Sequence, residues 1–413
     1  MAAFCIRLFV FAALFAVAAC TGPVARREAP LPDPVILISI DGFRADYLDR
    51  GLTPTLAALA ANGVRADAMK PSFPTLTFPN HYTLVTGLYP DHPGIVNNRM
   101  IDPATGNTFV YKDADTIADA AWWGGEPLWV SVEKQGRHAA TMFWPSSDVA
   151  IDGVRPSLWV HFDGKLTPDQ RVDRLLGWTD LAGDARPSFY TLYLEQVDHA
   201  GHDDGPDSAA VNAAMRDIDA ALARLVDGLK ARGLFDRANI VIVSDHGMTS
   251  TAPDRQIFLD DLVDLDEAGF VTGGILAGMN PKPAEAGAVE HAILAPHEHM
   301  QCWRKSAVPA RLRYGTNPRV PALLCLADDG WIITTHEDAA KRKHFSLGEH
   351  GYDNDDPKMR ALFVAHGPAF KSGLRVPEFD NVDVYPLLAH LLAIKPAPND
   401  GHFDEVRGML KPR

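Results

Sequence analysis

Three apolar runs, each with an acid shortly after it, constrain this chain more than any other feature. Val35-Ile36-Leu37-Ile38-Ser39-Ile40 closes in Asp41-Gly42, Phe189 to Leu194 precedes Asp198, and Asn239 to Val243 precedes the pair Asp245-His246. A strand without polar alternation is buried on both faces, which calls for helices on either side and parallel neighbours. Between the second and third runs, Val211, Met215, Ile218, Leu222, Leu225 and Leu229 recur at three- and four-residue steps, after Pro206 and before Gly233. That spacing predicts an amphipathic crossover helix. Strand, helix and strand then make a parallel pair. Open α/β sheets bind ligands beyond the carboxyl ends of their strands, so the acids converge there.

The rest of the chain fits an α/β protein with a central, mostly parallel sheet flanked by helices. At 413 residues and 46% hydrophobic content it buries a large core, which excludes a disordered tail, a collagen-like fibre or a coiled coil. A net charge of −14 and the lack of a basic stretch argue against a nucleic acid polymer as partner. Residues 34–264 read as the first part of the α/β domain and 341–413 as its second part. The stretch 265–340, short segments rich in Pro and Gly, reads as a smaller inserted α+β lobe.

The start of the chain reads as an address. Arg7, the apolar stretch Leu8 to Ala19, and small residues before a cut site predict a signal peptide over 1–19, too short to span a membrane. Val17-Ala18-Ala19-Cys20 looks like a bacterial lipobox, predicting a lipid anchor on Cys20, with residues 20–33 as anchor and Pro-rich tether; the alternative is a plain secretory signal with Cys20 incidental. The expected location is the bacterial cell envelope, periplasmic, touching the membrane only through Cys20. Cys302 and Cys325 remain for an oxidising compartment, and the sequence leaves their pairing open.

Asp198-x-x-x-His202, Asp245-His246, Asp41 and His350 combine carboxylate oxygen with imidazole nitrogen, the donor set of a catalytic zinc site. Singly, each has an ordinary explanation as a cap, a turn residue or a packed histidine, so the argument rests on the set. Thr77 stands just before Tyr82 to Thr86, a short helix ending at Gly87. A hydroxyl there feels the positive end of the helix dipole, and a neighbouring divalent metal would depress its pKa much further.

Six blocks now stand in order: Asp41-Gly42-Phe43-Arg44, Thr77-Phe78-Pro79-Asn80-His81-Tyr82 on to Tyr89-Pro90, Gly94-Ile95-Val96-Asn97-Asn98, Glu195-x-x-Asp198-x-x-Gly201-His202, Ser244-Asp245-His246-Gly247-Met248, and Gly348-x-His350-Gly351-Tyr352. Together they resemble the nucleotide pyrophosphatase/phosphodiesterase family of the alkaline phosphatase superfamily, over about residues 34 to 400. The resemblance implies an alkaline-phosphatase-like fold and two zinc ions per chain. One would be held by Asp198, His202 and His350, the other by Asp41, Asp245 and His246, with Thr77 as the nucleophile on the second. It further implies that Asn98 and the Phe78 backbone N–H hold a phosphate oxygen, and that Phe78 and Tyr193 clamp a nucleobase.

The expected reaction is zinc-dependent hydrolysis of nucleotide phosphodiesters and phosphoanhydrides to nucleoside 5′-monophosphates, through a threonyl-phosphate intermediate. Two metal ions suit an in-line displacement by clamping both the attacking and the leaving oxygen. No basic residue lies in Pro71 to Gly87, where Phe78 and Pro79 offer an apolar wall, which favours diesters over monoesters. Phosphomonoesterase activity and cleavage of choline lipids or lysophospholipids on the same site are the alternatives. A sulfatase lacks its Cys/Ser-x-Pro-x-Arg motif here, and a phosphoglycerate mutase uses serine in the cytosol. The non-enzymatic alternative is an envelope lipoprotein that binds metal or ligand, which gives no reason for Thr77.

Overall fold

A computed structural model describes residues 33–412. The signal peptide, Cys20 and nearly all of the tether lie outside the described residues.

Eight strands build the central sheet: β1 Val35–Ile40, β2 Val64–Ala66, β3 Ala139–Met142, β4 Leu158–Val160, β5 Phe189–Leu194, β6 Asn239–Val243, β7 Phe363–His366 and β8 Leu374–Val376. Their spatial order is β8-β2-β7-β6-β1-β5-β3-β4. Only β7 runs against its neighbours; every other pairing in the sheet is parallel. The three apolar runs are the three adjacent central strands, but β5 and β6 do not pair as expected. β1 lies between them, parallel to both. The helix joining β5 to β6, Ala209–Ala231, has 23 residues. At about 1.5 Å per residue it is long enough to carry the chain over an intervening strand.

Alternation along β1 explains why its whole sequence is apolar. Val35 and Leu37 join one hydrophobic cluster, while Ile36, Ile38 and Ile40 join the cluster on the opposite face. All six periodic residues of the crossover helix belong to that second cluster. Ser208 caps the helix by accepting from Val211 N at 3.1 Å, and Gly233, with φ +63°, follows its end.

The stretch 265–340 carries an antiparallel sheet in the order Phe270–Thr272, Leu276–Met279, Leu323–Ala327, Met300–Arg304. Cys302 and Cys325 face each other in its last strand pair and form a disulfide. Near the C-terminus a helix spans Val384–Leu391, preceded by a 3₁₀ turn. Among the described residues no helix is long and apolar enough to cross a membrane.

Candidate metal centre and nucleophile

Each acid that follows an apolar strand reaches the same end of the sheet, by a different local device. Asp41 sits at the end of β1, and Gly42 turns the chain with φ +67°. A Cβ on Gly42 would lie 2.9 Å from the Asp198 Cα, so glycine is what lets this turn pass against the second acid. After β5 the chain enters the helix Gln196–Asp204, whose i, i+4 spacing sets Asp198 and His202 on one face with Oδ1 and Nε2 3.5 Å apart. Asp245 and His246 follow β6 after Ser244. His350 arrives from the returning segment Gly348–Glu349, which pairs with Thr249–Ser250.

The ligand atoms fall into two groups, Asp198 with His202 and His350, and Asp41 with Asp245 and His246, each within 4.8 Å of one another. The rings of His246 and His350 stack with centroids 3.5 Å apart and join the groups. In all three histidines Nδ1–H donates to a backbone carbonyl: His202 to Gly348 at 2.8 Å, His246 to Gly247 at 2.9 Å, His350 to Thr75 at 2.8 Å. In the neutral imidazoles this fixes the tautomer and leaves Nε2 as the free nitrogen facing the carboxylates.

Three buried carboxylate oxygens, Asp41 Oδ1, Asp198 Oδ1 and Asp245 Oδ2, find no hydrogen-bond partner. Each instead faces those Nε2 atoms, at 3.4 Å and 2.9 Å from His246 to Asp41 and Asp245, and 3.7 Å from His350 to Asp198. Ligands bound at about 2.0–2.1 Å around a tetrahedral ion stand about 3.3 Å apart, so the donor set fits divalent cations in type and in spacing. Without a cation the carboxylates oppose one another. Burial, then Asp245 and Asp198, hold the Asp41 carboxyl well above its usual range. Burial would also raise Asp245, but His246 and His81 beside it draw it well below.

Thr77 is the first residue of the helix Thr77–Thr86, with Gly87 at its end in the left-handed conformation. The helix starts five residues earlier than the sequence predicts. Pro79 falls in its first turn, where a missing N–H costs nothing. Thr77 Oγ1 lies 3.2 Å from His246 Nε2, against the Asp41 group. Two side chains of the same helix fix this turn. Asn80 Nδ2 donates to Pro74 and Leu76 carbonyls, while its Oδ1 accepts from Ser72 N and Asn381 Nδ2. His81 is fully buried, with Nδ1 2.9 Å from the Thr77 carbonyl and 3.3 Å from Asp245 Oδ2, and Nε2 accepting from Ser39 Oγ at 2.8 Å. The Phe78 N–H donates to Asn98 Oδ1 at 3.2 Å, so these two groups stand against each other beside Thr77.

A family described as type I phosphodiesterase/nucleotide pyrophosphatase matches residues 35–353. The chain is 38% identical, over 90% of its length and 79% of the relative's, to an uncharacterized pyrophosphatase/phosphodiesterase of Schizosaccharomyces pombe. It is 37% identical to ectonucleotide pyrophosphatase/phosphodiesterase family member 1 of Mus musculus and 36% identical to a venom phosphodiesterase of Naja atra, covering 92% of this chain in both cases but only 43% and 46% of those proteins. Murine ectonucleotide pyrophosphatase/phosphodiesterase 5, solved as an inactive threonine-to-alanine variant in complex with AMP, superposes with a TM-score of 0.87 at 34% identity, over 92% of this chain and 100% of that one. This chain belongs to the type I phosphodiesterase/nucleotide pyrophosphatase family.

Its enzyme class is that of the family, and its fold is alkaline-phosphatase-like α/β. In this phosphodiesterase the two expected ligand sets and Thr77 come together. The rings of Phe78 and Tyr193 meet different neighbours. Phe78 packs in an aromatic cluster with Phe109, Tyr111 and Trp123, at 5.8–6.1 Å between centroids. Tyr193 lies edge-on to His81, and its hydroxyl donates to Asp41 Oδ2 at 2.6 Å. Sequence reasoning passed over His81 and Thr75, which lie in and beside the quoted blocks and belong to neither ligand group. It also passed over Phe162, 58% exposed and 6.2 Å from the Tyr193 ring. An aromatic in a short polar segment, His161-Phe162-Asp163-Gly164, was the available signal for it.

Proposed function

We propose that this protein hydrolyses nucleotide phosphodiesters and phosphoanhydrides to nucleoside 5′-monophosphates, with Thr77 as nucleophile and two zinc ions held by the Asp41 and Asp198 groups. The observation that carries the reading is the three orphaned carboxylate oxygens facing three Nε2 atoms, with the Thr77 hydroxyl 3.2 Å from that of His246. Carboxylate with imidazole is a zinc donor set. Bound there, the ions would supply Lewis-acid activation and charge neutralisation for an in-line displacement.

The chain's own residues do the rest. The helix start aims Thr77 Oγ at phosphorus. Thr77 gives up its hydroxyl proton, which leaves with the departing group, as the bond from Oγ to phosphorus forms and the bond to the leaving group breaks; water then cleaves the threonyl ester, its oxygen going to the released monophosphate and one of its protons restoring the hydroxyl. Asn98 Nδ2 and the Phe78 N–H are the donors for a non-bridging oxygen. Phe78 offers one aromatic face to the base. Phe162, an exposed ring propped against Phe143 at 5.2 Å, offers a better second face than Tyr193, whose hydroxyl is committed to Asp41. AMP in the murine relative supports a nucleotide substrate. The leader over 1–19 and Cys20 supports an envelope location, with the lipid anchor as the membrane link.

Paired steady-state assays on bis-p-nitrophenyl phosphate and p-nitrophenyl phosphate test this, before and after chelation and with zinc restored. Diester preference should vanish with chelator and return with zinc. Thr77→Ala should lose at least about 10³-fold in kcat with its metal retained. Preference for the monoester, or a Thr77→Ala protein near full rate, overturns the reading.

A further inference from the structure

The stretch Pro93–Asn97 that leads to Asn98 has no regular secondary structure, yet every residue in it is buried. A buried irregular backbone must find partners for its polar groups, and here they come from far along the chain. The Tyr314 hydroxyl donates to the Val96 carbonyl at 2.9 Å. Thr316 donates to Asp91 Oδ2 through both N and Oγ1, at 2.5 and 2.7 Å, and Asn317 Nδ2 donates to the Asp91 carbonyl at 2.7 Å. Arg319 completes the set, with one guanidinium nitrogen donating to Gly94 and Trp122 carbonyls at 3.0 and 2.8 Å, another to Ala121 at 2.9 Å, and Nε to Asp102 Oδ2 at 3.1 Å.

The fit extends to the glycine. Gly94 has φ +82°, and a Cβ on it would lie 2.8 Å from that same Arg319 nitrogen. Glycine opens the Gly94-to-Asn98 block to the guanidinium. Arg319 also lies over the Trp122 ring, 4.7 Å from its centroid, and Trp122 packs on Phe109, which touches Phe78. One cation therefore ties the Asn98 loop and the aromatic wall beside Thr77 to a single point.

We infer that Arg319 is a positioning residue for the reaction: through Gly94 it holds the Asn98 loop so that the Asn98 amide meets the phosphoryl oxygen in the transition state. This rests on the role proposed above for Asn98. Segment 314–319 thus serves catalysis without touching substrate.

The test is a double-mutant cycle on the zinc-loaded protein with bis-p-nitrophenyl phosphate. Arg319→Lys keeps the charge but loses the planar fork. It should lower kcat about 10- to 100-fold with KM moving less than about threefold and zinc content unchanged. In an Asn98→Ala background the same change should cost less than about twofold. Tyr314→Phe, which deletes one hydroxyl, should give a smaller loss with the same dependence on Asn98, and it decides the matter if Arg319→Lys does not fold. Equal losses in both backgrounds, or a costly Asn98→Ala with silent Arg319 and Tyr314 variants, overturn the inference alone. A silent Asn98→Ala overturns the role of Asn98, and the inference with it.

Discussion

The two ligand groups are alike in composition and unlike in setting. Asp41, Asp245 and His246 have essentially no exposed surface, whereas the His202 side chain in the other group keeps 28% of its own. The closed group is bound to the rest of the centre on all sides. Tyr193 donates to Asp41, Gly42 N to Asp245 at 3.3 Å, His81 reaches Asp245, and Thr77 stands over His246. The open group depends on one helix turn and a short returning strand, with Glu349 3.7 Å from His202 Nδ1. A nucleophile needs a fixed, desolvated setting, and leaving group and water need entry. The asymmetry suits the division of labour proposed above, with Thr77 at the closed group.

The largest effect that could break this comparison comes from deleting one imidazole per group. His246→Ala should cost more activity than the about 10- to 100-fold typical of losing an outer partner, because it removes a ligand and the neighbour of Thr77 together. His202→Ala should leave the closed group loaded. Metal analysis after desalting should find about one zinc per chain in His202→Ala. If both variants lose both ions, or neither loses any, the two groups are not separable sites.

A smaller lesion sharpens the role of the closed group's outer contacts. Tyr193→Phe deletes only the hydroxyl on Asp41 Oδ2. Removing such an orienting bond should weaken zinc at that group about 10- to 100-fold while sparing the other. If Tyr193 were chiefly a base clamp, Phe would replace it with no change in metal affinity. Competition with a graded chelator reads the difference directly.

How much of this was legible in sequence follows from what each residue does. Asp41, Asp198 and Asp245 were readable because each follows a strand too apolar to be anything but central, and His202 because it lies one helical turn from Asp198. The order of the strands was not, since the helix Ala209–Ala231 fits a crossover to the next strand or over one equally well. The hydroxyl of Tyr193 looks like one more position of a buried strand until its contact with Asp41 is known. Arg319 is separated by 225 residues from the Gly94 carbonyl it holds. No local pattern announces a bond of that range, although the glycine that accommodates it sat in a recognisable block.

The subtlest separation of the groups is in pH. Burial would lower the His246 pKa, but Asp245 beside it outweighs that and leaves it above 6.5. His202 is likewise lowered by burial and raised further by Asp198 and Glu349, to a net position above 6.5. His350 is pushed well below by burial and by its two histidine neighbours, so its ring is uncharged in the neutral range, with no proton on Nε2. Asp41, held high, does take one as the pH falls. These raised values stabilise the metal-free fold at low pH, and that contribution is lost as pH rises through them. Metal binding runs the other way, since each proton to be displaced costs about tenfold in affinity per pH unit. The closed group holds a raised imidazole and a raised carboxyl, His246 and Asp41, where the open group holds only a raised imidazole, His202. Zinc affinity measured from about pH 8 down to about pH 5 should therefore fall at both groups, beginning above 6.5, and should fall more steeply at the closed group wherever Asp41 takes up its proton. Equal slopes would mean that Asp41 holds no proton in the metal-free protein, and that Tyr193 and the surrounding dipoles already stabilise its charge.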